Sequence, residues 1–199
     1  MRKIISFMHI SLDGFVSDSK GSLSWVKLDQ EIFKFVSQRV GKTNTAMYGR
    51  KTFEIMENYW PKAGSRPNAT NHEKVHSKWY NNTHKLVLSS TMKEASLPNT
   101  NIITDNISEQ VKEIKSSINQ NSNEILLFGS PQATQTLMEL NLIDGFWLFL
   151  NPIVLGQGIS LFNEFETMQL LSLNSIYQFQ NGVISLDYTI TKKEDFWAI

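Results

Sequence analysis

Short apolar runs alternate with runs of helical spacing along most of the chain, and that alternation predicts an α/β fold. Lys3 to Ile10 carries Ile4, Ile5, Phe7 and Met8 close together, the pattern of a buried strand. Gly14 and Gly21 bracket a loop. Asp29 then stands as a cap before Ile32, Phe33, Phe35, Val36 and Val40, which predicts a helix over 29–40. Thr43 to Tyr48 reads as a short strand ended by Gly49, and Arg50 to Asn58 as a short helix with Phe53, Ile55 and Met56 inward. From Tyr59 to Thr83 the pattern breaks up around Pro61, Gly64, Pro67, Asn68, Asn71, Asn81 and Asn82, which predicts loop with one turn of helix at most.

Two further strands are expected at 85–90 and 101–104, followed by a helix over 108–119 capped by Ser108. Glu124 to Phe128 reads as a buried strand, and residues 131–140 as a helix with Pro131 at its first position, where the missing N–H costs nothing. After Asp144 only strands are predicted: 145–151, then 174–180 and 183–190 joined at Asn181-Gly182, a pair suited to a type I′ hairpin turn. The sum is a three-layer αβα arrangement with a central mixed, mostly parallel sheet and an antiparallel C-terminal hairpin. No repeat, low-complexity block or linker divides the 199 residues, so a single domain is expected over 1–199.

Composition narrows the chemistry. The chain has no cysteine, which removes disulfides, thiolate nucleophiles, iron–sulfur clusters and cysteine zinc sites. Its 19 Lys+Arg balance 19 Asp+Glu, so there is no general field to attract nucleic acid. The opening Met1-Arg2-Lys3 before an apolar run resembles a signal peptide, but His9 and Asp13 arrive early and no cleavage site follows. The most apolar later stretch, Phe146 to Leu150, is far short of the roughly 20 residues of a spanning helix. A soluble, cytoplasmic protein is expected. His9, His72, His76 and His84 are read without a second ligand at metal spacing, His72 and His76 falling in the expected loop, so no metal site is expected. There is no G-x-S-x-G elbow or P-loop. The aromatics Phe146, Trp147, Phe149, Phe179 and Trp197 either fill the core or, as expected here, serve a homodimer through the late strands or the C-terminal tail.

In an open α/β sheet, ligands bind beyond the carboxyl ends of the strands, where helix N-termini present free N–H groups. Three such junctions carry suitable residues. Gly49-Arg50-Lys51-Thr52 places two cations and a hydroxyl at the opening of a helix, and Leu88-Ser89-Ser90-Thr91 ends a strand in three hydroxyls. Phe128-Gly129-Ser130-Pro131-Gln132-Ala133 leads a buried strand through a glycine into a helix, an arrangement suited to a pyrophosphate. Each alone is compatible with ordinary turn chemistry, but three on separate strands of one sheet fit a dinucleotide. Asp13, after the first strand, is either an Asx-type turn residue or a polar group on the substrate side.

The order Ser11-Leu12-Asp13-Gly14, Gly49-Arg50-Lys51-Thr52-Phe53-Glu54, Ser89-Ser90-Thr91, Gly129-Ser130, Leu142-Ile143-Asp144 and Pro152-Ile153-Val154-Leu155-Gly156-Gln157-Gly158-Ile159-Ser160-Leu161-Phe162 resembles the dihydrofolate reductase-like superfamily. It is most similar to the C-terminal reductase domain of the bifunctional riboflavin-biosynthesis deaminase-reductase, over about residues 2–191. The resemblance implies an NADPH-dependent reductase of a small pteridine- or pyrimidine-like substrate, with an NADPH- or nucleotide-binding regulatory or dimerisation protein without turnover as the alternative. It implies Gly49, Arg50, Lys51 and Thr52 at the adenosine side of NADPH, Leu88, Ser89, Ser90 and Thr91 near its 2′-phosphate, and Phe128, Gly129, Ser130, Gln132 and Ala133 at its pyrophosphate. Ile10 and Gly14 would flank the nicotinamide, His9, Trp25, Asp29 and Phe33 would face the substrate, and Asp13 would be the catalytic polar group. Two positions depart from the riboflavin-reductase pattern: Phe15 stands where a Lys or Arg is usual, and Gly-Arg-Lys-Thr-Phe replaces Gly-x-x-Thr-Val. A phosphorylated ribitylaminopyrimidine would want those cations.

Overall fold

The computed structural model describes residues 1–92, 97–117, 122–162 and 168–191. In chain order the elements are β1 (Lys3–Ile10), β2 (Phe15–Ser17), α1 (Gln30–Val40), β3 (Thr45–Gly49), α2 (Arg50–Ala63), α3 (Asn71–Asn82), β4 (His84–Leu88) and β5 (Thr100–Ile103). They continue with α4 (Ile107–Ser116), β6 (Glu124–Phe128), α5 (Pro131–Glu139), β7 (Gly145–Leu150), β8 (Ile159–Ser160), β9 (Leu170–Gln178) and β10 (Ile184–Thr191). The chain forms two compact units: Met1–Arg2 with Leu28–Ser130, and Lys3–Lys27 with Pro131–Ile199. Among the described residues no helix is long and apolar enough to cross a membrane.

The first unit is built on four parallel strands in the order β5-β4-β3-β6. Met47, Tyr48, Leu86, Val87, Leu126 and Leu127 are all at most 1% exposed, the near-continuous apolar run of strands covered on both faces. Asp29 caps α1 as its sequence predicts, its carboxylate accepting the Ile32 N–H at 2.9 Å. Arg2 is buried and donates to the carbonyls of Ser122 and Glu124 and to Asn44 Oδ1, which holds the start of the chain to this unit.

The stretch expected to be loop is mostly helix. α2 continues to Ala63 with Pro61 in its last turn, and α3 occupies Asn71–Asn82. The cause is a capping box: Thr70 Oγ1 accepts the Glu73 N–H at 3.2 Å while Glu73 accepts the Thr70 N–H at 2.7 Å. Buried Ser77 and Tyr80 then anchor one face, and packing overrides the poor propensity of Asn and His. α4 starts at Ile107 after Asn106 in a left-handed conformation (φ 43°), so Ser108 lies inside the first turn and is not the cap; the expected residues 118–119 lie outside the described residues.

The second unit orders its strands β1-β7-β10-β9, with β1 and β7 parallel and β7, β10 and β9 antiparallel, and has a small β2–β8 ladder. The fold is thus α/β with a mixed, mostly parallel sheet and antiparallel strands. The hairpin forms where expected, but its turn is not type I′. Only Gly182 has positive φ (88°); the Phe179 carbonyl accepts the Gly182 N–H at 3.0 Å and the Phe179 N–H donates to Val183 O at 2.9 Å. That is a type I turn closed by a glycine bulge, and Asn181 contributes by accepting the Val183 N–H with its side chain at 3.0 Å. Phe146, Trp147, Phe149 and Phe179 are at most 2% exposed. They fill the core of this unit and offer no surface to a partner, and Trp197 lies outside the described residues.

Histidine burial makes the fold acid-sensitive. The His76 ring packs on Trp60 at 4.0 Å and Trp79 at 4.9 Å, and burial, aided by His72, pushes its pKa down to about 3. Burial also brings His9 down to about 4. The unfolded chain takes these protons near pH 6.5 while the folded one refuses them, so stability rises with pH across that window and is lost as pH falls below it. The slope is at most about 1.4 kcal/mol per pH unit for each such histidine. Urea midpoints should therefore fall from pH 7 to pH 4, and less steeply for His76→Phe than for the wild type; identical slopes would show that His76 is not buried neutral.

Candidate functional site

β4, β3 and β6 run parallel, with Gly49 beside Leu88 and Met47 beside Leu127, so their carboxyl ends emerge on one edge of the first unit. The three junctions singled out from the sequence are thereby brought together: Gly49 to Thr52, Leu88 to Thr91, and Phe128 to Ser130. α2 begins directly after β3, and its N-cap, Gly49, brings no side-chain cap. Its first turn holds no acidic residue, so the positive end of the helix is uncompensated. Arg50 is tied to Glu54 one turn on, Nη1 to Oε1 at 2.9 Å, in a largely exposed pair, and Lys51 is exposed.

Ser130 links two of these junctions. Its Oγ accepts the Gly49 N–H at 2.8 Å and donates to Thr52 Oγ1 at 2.7 Å. The geometry needs two successive left-handed residues, Gly129 (φ 53°) and Ser130 (φ 60°). A side chain at 129 would bring its Cβ within 3.2 Å of Thr52 Cγ2, which is why glycine stands there. The Gly49 N–H is therefore committed to Ser130, while Thr52 Oγ1 accepts from Ser130 and keeps its own proton to donate, alongside the first-turn N–H groups of α2, Lys51 and the part of the Arg50 guanidinium not engaged by Glu54. In the β4 junction, Ser89 Oγ accepts the Thr91 and Met92 N–H groups at 3.3 and 2.9 Å, so Ser89 shapes the turn while Ser90 and Thr91 are exposed.

The remaining candidates divide between the units. Asp29 and Phe33 belong to the first, where Asp29 is the α1 cap and Phe33 stacks on His72 at 4.1 Å. Ile10, Gly14, Gln132, Ala133, His9, Trp25 and Asp13 belong to the second. Ile10 ends β1, Gly14 sits at φ 84° in the turn after it, and Gln132 and Ala133 lie in the first turn of α5. The Trp25 indole N–H is buried without a partner. His9 packs on Phe149 at 4.9 Å, and burial keeps its ring neutral at pH 7.

Asn151 was missed in the sequence, where Asn151-Pro152 marks only the end of a strand. It is fully buried; its Oδ1 accepts the Lys27 N–H at 2.9 Å, and its Nδ2 donates to Phe149 O at 3.0 Å and lies 3.4 Å from His9 Nδ1. An amide donor on Nδ1 favours the tautomer in which His9 carries its proton on Nε2. No sequence signal marks this role, since the partners are far apart in the chain.

In the structure the Asp13 carboxylate is held by its own neighbours. Its carboxylate accepts from Ser11 Oγ at 2.6 Å, Gly156 N at 2.8 Å and Leu155 N at 3.1 Å, and these bonds hold its pKa down to about 2. Such a group has no proton to give at neutral pH. Asp13 fastens the loop after β1 to residues 155–156, the turn role that its sequence also allowed.

These elements define an α/β protein in which parallel strands end in glycine- and hydroxyl-bearing turns and lead into helices. The chain belongs to the RibD C-terminal domain family, whose model matches residues 2–185. It is 31% identical over 188 residues to the uncharacterized protein YyaP of Bacillus subtilis (strain 168), covering 94% of each chain, and 25% identical over 184 residues to YwjB of the same organism, covering 92% of this chain and 95% of that one. Among solved structures, a putative riboflavin biosynthesis protein from Shewanella sp. PV-4 superposes with a TM-score of 0.72 at 19% identity, covering 96% of this chain and 99% of that one. The diaminohydroxyphosphoribosylaminopyrimidine deaminase/5-amino-6-(5-phosphoribosylamino)uracil reductase of Thermotoga maritima gives 0.64 at 13% identity, with 96% of this chain spanning 57% of that one. The fold is that of the dihydrofolate reductase-like reductase domains of this family.

The Ser130 bridge yields an ordered test. Ser130→Ala removes both hydrogen bonds and keeps a Cβ at a left-handed position, and should destabilise the protein by about 1–3 kcal/mol. Ser130→Gly loses the same bonds but relieves the backbone, a gain of about 1 kcal/mol, so it should be the milder change in urea unfolding. The reverse order would mean that the left-handed pair is unstrained.

Proposed function

We propose that the chain is a cytoplasmic NADPH-dependent oxidoreductase that reduces a small pteridine- or pyrimidine-like heterocycle by hydride transfer. The observation that carries this reading is the shared edge of β4, β3 and β6, where Arg50, Lys51, Ser90, Thr91 and the first-turn N–H groups of α2 gather with no acidic residue in that turn. This donor set fits a phosphate-bearing cofactor: fixed N–H groups and a guanidinium fork match phosphate oxygens, and the glycine at 129 permits close backbone approach.

Arg50 and Lys51 would hold the adenosine-side phosphate with Ser90 and Thr91, and the left-handed Gly129-Ser130 turn would stand at the pyrophosphate. NADPH, when bound, supplies the hydride. Ile10, Gly14, Gln132 and Ala133 are assigned to the cofactor, and His9 and Trp25 to the substrate, on the family resemblance. His9, neutral with its proton on Nε2, and the unpartnered Trp25 N–H are donors suited to orienting a heterocycle's carbonyl or ring nitrogen. Phe15 offers no charge to a substrate phosphate, which favours an unphosphorylated heterocycle. A second reading is nucleotide binding without turnover, in which the hydrogen bonds of Asp13 to Ser11, Leu155 and Gly156 serve only the loop. Loss of the reduced-nicotinamide absorbance with candidate pterins and pyrimidines separates the two; binding without any oxidation supports the second.

The cofactor preference is the sharper test. Arg50 would exchange an exposed ion pair with Glu54, worth less than about 1 kcal/mol, for a charge-assisted bond to the 2′-phosphate worth about 1.5–3 kcal/mol. NADPH should bind at least about tenfold more tightly than NADH. Arg50→Ala should erase most of that preference with little change for NADH, and Glu54→Gln should strengthen NADPH binding alone. Equal titration curves for the two cofactors in the wild type would remove the phosphate from this corner.

A further inference from the structure

Residues 72–76 read His-Glu-Lys-Val-His, the His-Glu-x-x-His order with which a helix presents two imidazoles to a metal ion. In the loop expected over this stretch the two rings would have no fixed relation. α3 (Asn71–Asn82) supplies the helix, and its capping box fixes the first turn, where His72 stands. Residues four apart on a helix share a face, so His76 is the neighbour of His72 on the next turn. Their ring centres are 5.6 Å apart and their planes are tilted by 41°. Two imidazoles held by one tetrahedral ion through bonds of about 2.0–2.1 Å have centres about 5 Å apart, so a small side-chain rotation closes the pair on an ion.

The neighbours hold both rings in place. Phe33 stacks on His72 at 4.1 Å with 15° between the planes, and Trp60 meets His72 edge-on at 5.8 Å. His76 packs on Trp60 at 4.0 Å and on Trp79 at 4.9 Å. This aromatic setting gives His72 Nδ1 no hydrogen-bond partner, although the atom is buried. A buried ring nitrogen without a partner is costly, and a cation on its lone pair removes that cost.

In metal-dependent hydrolases the glutamate of this motif is the general base. Here Glu73 is spent on the fold: Oε1 accepts from the Tyr59 hydroxyl at 2.6 Å, and Oε2 accepts from the Thr70 N–H at 2.7 Å and the Thr70 hydroxyl at 2.8 Å. Among the described residues no third His, Asp or Glu completes a metal cluster. The arrangement is therefore suited to holding an ion and not to hydrolysis. We propose that His72 and His76 bind one divalent transition-metal ion of the class that imidazole prefers, Zn²⁺, Ni²⁺ or Cu²⁺, with water filling its other positions. Only the folded helix offers both rings together, so the ion stabilises the folded chain. Trp60 lies along α2 from Arg50 by about 15 Å of helix rise, which separates the ion from the phosphate-binding turn.

Calorimetric titration of the full chain with ZnCl₂ tests the proposal, with histidine side-chain NMR on the same sample. One ion should bind per chain, Cu²⁺ should bind more tightly than Zn²⁺, and Mg²⁺ should not bind. His72→Phe and His76→Phe keep a ring among Phe33, Trp60 and Trp79. Each should weaken Zn²⁺ by more than the roughly 10–100-fold that loss of an outer-shell partner costs. Zn²⁺ should raise the thermal midpoint of the wild type and of neither Phe variant. Glu73→Gln, which still caps α3, and His84→Gln should bind Zn²⁺ as the wild type does. If a Phe variant loses its circular dichroism, NMR of the wild type decides: Zn²⁺ should shift the ring nitrogens of His72 and His76 and leave those of His9 and His84 in place. A wild type that binds neither Zn²⁺ nor Cu²⁺, unchanged affinity in the folded Phe variants, loss of binding in Glu73→Gln, or shifts spread evenly over the four histidines would each overturn the proposal.

Discussion

A single hydroxyl group, that of Ser130, ties the end of β3 to the end of β6, and the candidate site depends on it. Parallel strands covered on both faces satisfy their backbone groups along the ladder, but where a strand stops, its last N–H groups need partners. Ser130 Oγ takes the Gly49 N–H and hands its own proton to Thr52. To reach them the chain must pass through two left-handed residues, and at 129 both the positive φ and the closeness of Thr52 favour glycine. The first turn of α2 is left with its N–H groups uncapped, and a corner rich in donors results.

The parts of the fold that were legible in the sequence are those whose signal is local and periodic. The buried strands β1, β3, β4, β6 and β7 announced themselves as apolar runs, and α1 by a capping aspartate followed by helical spacing. α3 was hidden because Asn, His and Pro around it read as loop, although Thr70 and Glu73 stand at capping-box spacing. The turn at Asn181-Gly182 shows a different limit. The dipeptide marks the hairpin, but the Asn181 side chain settles on the Val183 N–H and the turn closes through a bulge. β2 and β8, of three and two residues, are too short to leave a pattern.

The candidate site was legible as three junctions and illegible in its details, because those details join residues far apart in the chain. Ser130 meets Gly49 across 81 positions, and Asp13 meets Leu155 and Gly156 across 142 and 143. The second pairing shows Asp13 fastening its loop, the turn role that its sequence allowed beside the substrate-side one. Asn151 behaves likewise: one buried amide joins the loop at Lys27, the strand at Phe149 and the ring of His9, so the amide that faces the imidazole is itself held by two backbone groups far apart in the chain. Its rigidity follows from full burial with both halves of the amide engaged.

The pairing of β1 with β7 bears on how the protein is made. Ile5 lies beside Gly145 and Ile10 beside Leu150, so β1 leaves the ribosome some 140 residues before this neighbour. At about 5–20 residues per second this is a wait of roughly ten seconds or more for an apolar strand with its β7 edge open. Contacts of such separation are slow to close and expose their edges meanwhile. Until Gly145 to Leu150 arrives, the largely apolar run from Ile4 to Ile10 has only an unpaired edge to offer on that side.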